Sequence, residues 1–136
     1  MPNQKFEDLA AFKCAVELLL EIYRVTEEFP KREIYGLASQ IRRAAVSVVS
    51  QIAEGQGLLS DGEWRQFLSQ ARGSLYEIEA QVIACHRLGY FSQETAEEIR
   101  AKARSVGRPL AGLIRYVRKR EAASKRPGNR QLATGN

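Results

Sequence analysis

Apolar residues recur in steps of three and four along most of this chain, the spacing of one α-helical face. The first such stretch, residues 6–28, carries Leu9, Phe12, Val16, Leu19, Tyr23 and Thr26 on one stripe. Leu18, Leu20 and Ile22 are apolar too and lie off that stripe. Phe29-Pro30 closes the stretch, because the residue before a proline avoids the α region. A second helix is predicted over 36–55, with Leu37, Ile41, Ala45, Val48 and Ile52 turned to a core. Beside that stripe runs a polar one, Gln40, Arg43, Ser47, Ser50 and Glu54, and Gly55 and Gly57 read as the stop.

A third helix, 61–88, opens on Ser60-Asp61-Gly62-Glu63, a capping box. Trp64, Phe67, Leu68, Ala71, Leu75, Ile78, Val82 and Cys85 form its core face, and Gly89 stops it. The fourth, 93–121, follows Ser92 as N-cap and carries Ala96, Ile99, Ala103, Val106, Leu110, Leu113 and Val117 inward. Gly107 and Pro109 interrupt that stripe and predict a kink near 105–109. Residues 122–136 lack periodicity and apolar bulk, so a basic disordered tail is expected. Four long helices joined by short loops predict an all-α, antiparallel up-down-up-down four-helix bundle.

Composition fits one domain of 136 residues, 44% of them apolar. No apolar run approaches the length of a membrane span, and no charged-then-apolar leader opens the chain. A soluble cytoplasmic protein without a membrane partner is the expectation. The net charge of +5 hides an asymmetry. Residues 1–100 hold 11 Lys and Arg against 15 Asp and Glu, whereas residues 101–136 hold 10 against the single acid Glu121. Arg115, Arg118, Lys119 and Arg120 in the last helical turns, with Lys125, Arg126 and Arg130 beyond, form the candidate nucleic-acid-binding set. Such a cluster binds phosphates with little sequence preference and strong salt dependence. The other expectation for the same cations is an acidic protein partner, met by an interaction scaffold.

Catalytic chemistry finds little support. His86 is the only histidine, and no Glu-x-x-His pair, phosphate-binding glycine loop or metal-ligand spacing occurs, so no cofactor and no enzyme activity are expected. An RNA-processing enzyme ranks last. Cys14 and Cys85 read as buried free thiols, placed at opposite ends of the bundle and unable to bridge. In a hairpin turning near Leu58, Arg43 lies opposite Arg72 and Gly73, Ser47 opposite Ser69, and Arg43 within reach of Glu77. Glu54 is expected to pair with Arg65 or with a cation of a neighbouring subunit, since a carboxylate at a helix C-terminus opposes the dipole and calls for a cation. The group Arg43, Glu54, Arg65, Arg72 and Glu77 reads as polar contacts that fix helix register or line a subunit interface. Gly73 in mid-helix points to close approach by a neighbouring helix or chain, and the off-stripe Leu18, Leu20 and Ile22 point to self-association or to a broad core face.

Several short pieces stand in a fixed order: Phe6 to Leu9, Phe29-Pro30, Tyr35-Gly36-Leu37, Gln40, Arg42-Arg43-Ala44, Ile52-Ala53-Glu54-Gly55, Phe67-Leu68, Ala71-Arg72-Gly73-Ser74, Glu77 and Leu88-Gly89-Tyr90. In these, residues 5–117 resemble the four-helix-bundle family of 23S rRNA intervening-sequence proteins. The family's usual proline near Val49, asparagine at Gln51 and basic residue at Leu58-Leu59 are absent here. The resemblance implies a ring-shaped homo-oligomer, commonly a pentamer, and a link to RNA. A related bundle, the accessory variability determinant of diversity-generating retroelements, implies a reverse transcriptase as a further partner.

Overall fold

The computed structural model describes residues 5–57 and 60–125. Four helices carry the chain: α1 (Ala10–Thr26), α2 (Leu37–Gln56), α3 (Asp61–Arg87) and α4 (Gln93–Ser124). Short 3-10 turns occupy Phe6–Asp8 and Lys31–Glu33, and no strand occurs among the described residues. Each helix packs on its neighbour in sequence, and α1 packs on α4, so the four surround one apolar core.

The inward face of α1 differs from the expected stripe. Ala11, Ala15, Leu18, Ile22 and Thr26 are buried, with Leu18 and Ile22 at 0% exposure. Phe12 and Leu19 pack only at the edge of the core, and Tyr23 and Leu20 are exposed. A pattern keyed on large side chains misses alanines, whose small size lets a helix approach its neighbours closely. Leu18 and Ile22 therefore belong to the monomer core and do not argue for self-association. Leu9 in extended conformation also separates the Phe6–Asp8 turn from α1, so the helix starts four residues later than expected.

Helix α2 buries Ile41, Ala45, Val48 and Ile52 as its pattern predicts. It does not stop at Gly55. The helix passes through that residue, which is buried, and ends at Gln56, where the Gly57 N–H donates to the Glu54 carbonyl at 3.1 Å. A Cβ on Gly55 would lie 3.0 Å from Trp64 Cδ1 and 3.2 Å from Phe67 Cβ, so glycine allows α3 to come close. The reverse holds at Gly73, where a Cβ would meet nothing within 4 Å. No neighbouring helix approaches there.

Ser60 caps α3 by accepting from the Glu63 N–H at 3.0 Å, and its hydroxyl donates to Glu63 Oε1 at 3.0 Å. Gly89, at φ 83°, turns the chain out of α3 in the left-handed region that suits glycine. Helix α4 is continuous through Pro109. Proline there deprives the Ser105 carbonyl of its helical donor. The helix also runs through Ser124, so residues 122–124 are helical and not tail. The remainder of the expected tail lies outside the described residues, apart from Lys125, which follows the helix.

Two polar ties fix one end of the molecule. Arg42 Nε donates to Thr26 Oγ1 at 2.7 Å, and its guanidinium lies 4.7 Å from the Tyr23 ring centre. Glu33 accepts from the Leu37 N–H at 3.1 Å and from the Tyr90 hydroxyl at 2.8 Å. Phe29 packs 5.1 Å from both Tyr90 and Phe91. The α1–α2 and α3–α4 connections are thus joined to one another. Both cysteines are free, as expected, but only Cys85 is buried, and Cys14 is half-exposed. Burial, with a smaller push from the Glu33 carboxylate, raises the Cys85 thiol to about 11.

Candidate nucleic-acid interface

Helix α4 is capped by Ser92, whose Oγ accepts from the Thr95 N–H at 3.1 Å. With Ala96, Ile99, Ala103, Val106, Leu110, Leu113, Ile114 and Val117 turned inward, the opposite face meets solvent. That face carries Arg100, Arg104, Arg108, Arg115, Arg118 and Lys119, all exposed. At a rise of 1.5 Å per residue the stripe is roughly 28 Å long. None of these six cations forms an ion pair among the described residues.

The expected basic cluster at the end of α4 divides into two groups. Arg115, Arg118 and Lys119 have no ion-pair partner among the described residues. Arg120 has one: its Nε lies 3.3 Å from Asp61 Oδ1, and its NH1 donates to the Tyr116 hydroxyl at 3.3 Å. Lys125 lies 3.6 Å from Glu121. Arg126 and Arg130 lie outside the described residues. Tyr116 packs in a T-shaped contact with Trp64, 6.2 Å between ring centres, and the Arg120 guanidinium lies 5.8 Å from its ring centre. The last turns of α4 are therefore clamped onto the first turn of α3, and part of the basic cluster is structural.

The polar set on α2 and α3 is rearranged in the same way. Arg65 pairs with Glu121 at 2.7 Å, not with Glu54. That contact, with a smaller contribution from Lys125, holds the Glu121 carboxyl below its ordinary range. Glu54 is exposed at the end of α2, and its side chain has no ion-pair or hydrogen-bond partner among the described residues. The seam between α2 and α3 is made by Ser74 donating to Ser47 at 3.1 Å and Gln51 donating to Gln70 at 3.4 Å. Position therefore rises along α2 as it falls along α3, and the register lies about one turn from the expected pairing of Ser47 with Ser69. Arg43 and Glu77 share an open hollow of about 340 Å³ with Gln40, Ala44 and Ser47, without forming an ion pair. Arg72 faces the other way, toward α4.

There it joins a site that the sequence pattern does not single out. A groove of about 400 Å³ between α3 and α4 is lined by Arg72, Tyr76 and Glu79 on one side and Arg104 and Arg108 on the other. The spacing of Arg100, Arg104 and Arg108, each four residues apart, was the available signal, since it places them on one helical face. Arg42 is the second omission: it, and not its neighbour Arg43, ties α2 to α1. Among the described residues no group of three or more His, Cys, Asp or Glu side chains could hold a metal ion. No helix among them is long and apolar enough to cross a membrane.

The geometry defines an all-helical protein with a free cationic face on its last helix. A family model described as 23S rRNA-intervening sequence protein matches residues 7–112, and the chain belongs to that family. Among solved structures, it is similar to a protein of unknown function from the S23 ribosomal protein family of Bacteroides thetaiotaomicron VPI-5482. That likeness has a TM-score of 0.71 at 19% identity, covers 77% of this chain and 95% of the other, and shows the fold. No curated protein matches the chain.

Proposed function

We propose that this chain is a non-enzymatic nucleic-acid-binding protein that works through the outer face of α4. The observation that carries the reading is the row of six exposed cations, Arg100 to Lys119, without carboxylate partners among the described residues. Cations placed for stability would be paired, as Arg65 and Arg120 are. A row of free ones attracts phosphates and releases their counterions on binding. The proposal includes an antiparallel up-down-up-down bundle, a cytoplasmic location and assembly into a homo-oligomer, with a pentamer taken from the family resemblance. In a ring, each copy would add its own cationic face. The same resemblance supports a reverse transcriptase as a protein partner.

Binding of a labelled mixed-sequence RNA over a salt series tests the proposal. Affinity is expected to fall by orders of magnitude between roughly 50 and 200 mM salt. Replacing Arg115, Arg118 and Lys119 with glutamine should weaken binding while leaving the melting temperature unchanged. Truncation is a poor substitute, because it removes the Arg120–Asp61 and Glu121–Arg65 clamps. Tight binding of polyglutamate without RNA binding would favour the scaffold that meets an acidic protein.

A further inference from the structure

We propose that the groove between α3 and α4 seats single-stranded nucleic acid, with Arg104 and Arg108 on the backbone phosphates and Tyr76 stacked on a base. This rests on the nucleic-acid reading and adds a location and a strand preference to it.

Charge is the first argument. Arg72, Arg104 and Arg108 converge on the groove against one acid, Glu79. None of the three guanidiniums has an ion-pair or side-chain hydrogen-bond partner among the described residues. Guanidinium groups match phosphate oxygens in a forked geometry, so this is an anion site with its donors unspent. Glu79 repels phosphate from its own rim and leaves the backbone path along α4. It also offers an acceptor for an exocyclic amino group.

The aromatic ring is the second. Tyr76 is 62% exposed and has no ring, cation or hydrogen-bond partner among the described residues. Tyr23 is engaged with Arg42, Tyr90 with Phe29 and Glu33, and Tyr116 with Trp64 and Arg120, while Tyr35, 94% exposed, does not line the groove. Tyr76 of α3 and Gly107 of α4 both line the groove. A Cβ on Gly107 would lie 3.6 Å from Leu75. A flat ring beside free cations is the arrangement that binds unpaired bases, because any base has a π-face to stack. A duplex keeps its base faces stacked inside and offers the ring nothing. An acidic peptide would use the arginines but leave the ring idle.

Fluorescence anisotropy on the full-length protein tests this, with a single-stranded RNA, the duplex of the same sequence, and labelled polyglutamate. The wild type should prefer the single strand. Tyr76→Ala should weaken single-strand binding by about tenfold and leave duplex binding unchanged, while Tyr76→Phe should retain both. Arg104→Gln with Arg108→Gln should weaken both RNAs and reduce the single-strand salt slope by roughly 0.7 per lost contact. Melting curves should match the wild type, since these side chains are exposed. If the two RNAs bind alike and Tyr76→Ala changes neither, the groove proposal fails and the proposed function stands. Polyglutamate binding as tightly as the single strand would also overturn the groove proposal. If the wild type binds neither RNA at low salt, the proposed function itself fails.

Discussion

Two regions along α3 treat polar side chains differently. Toward α2, Ser74 meets Ser47 and Gln70 meets Gln51, and the buried Gly55 lets the helices close. Those four side chains bond one another and fix register, although Arg43 in the hollow beside them has no ion-pair partner among the described residues. Toward the middle of α4, Arg72, Arg104 and Arg108 line an open groove beside an exposed tyrosine and have no ion-pair partner among the described residues. Polarity alone does not mark a functional surface. The difference lies in whether each group has a partner inside the chain.

Changes on the α2–α3 side should alter stability and leave RNA affinity alone. Gly55→Val has the largest expected effect, because its side chain would overlap Trp64 and Phe67. A loss of about 1–3 kcal/mol is expected in urea unfolding. Ser74→Ala strands the Ser47 hydroxyl and should cost about 0.5–1.5 kcal/mol by the same measurement. Gly73→Ala should raise stability by about 0.5–1 kcal/mol, since a methyl group meets open space there. Loss of assembly in that variant would instead put Gly73 at a subunit contact. The smallest effect is pH dependence. The Leu37 N–H, and then the Tyr90 hydroxyl, hold the Glu33 carboxyl below its ordinary value of 4.5. A lowered pKa means that the folded state releases this proton more readily than the unfolded state does. The stabilisation is therefore complete above that ordinary value and fades as pH falls through the lowered one. Glu33→Gln should flatten that acid limb in thermal melts at a series of pH values.

Helix number, helix type and three of the four core faces were legible because large apolar residues at i, i+3 and i+4 leave little choice. On α1 both candidate stripes were apolar, and the decision fell to Ala11 and Ala15, which carry little signal. The glycines exchanged roles for a similar reason. Sequence places Gly55 next to a stop and Gly73 in mid-helix, but only packing shows which one a neighbour approaches. Ion-pair partners were the least legible. Glu121 was visible as the lone acid of the basic end, yet its contact with Arg65 spans 56 positions and depends on how α4 meets α3. The basic end itself was readable as a charge imbalance. Its division into clamped Arg120 and free Arg115, Arg118 and Lys119 was not.

The central claim is that the free cations of α4 bind nucleic acid. Its most direct test is the slope of log affinity against log salt for a single-stranded RNA, measured on the wild type and on Arg115→Gln/Arg118→Gln/Lys119→Gln. The account predicts a steep wild-type slope that falls by roughly 0.7 for each of the three cations that contacts a phosphate. A slope near zero in the wild type, or an unchanged slope in the folded variant, would contradict it.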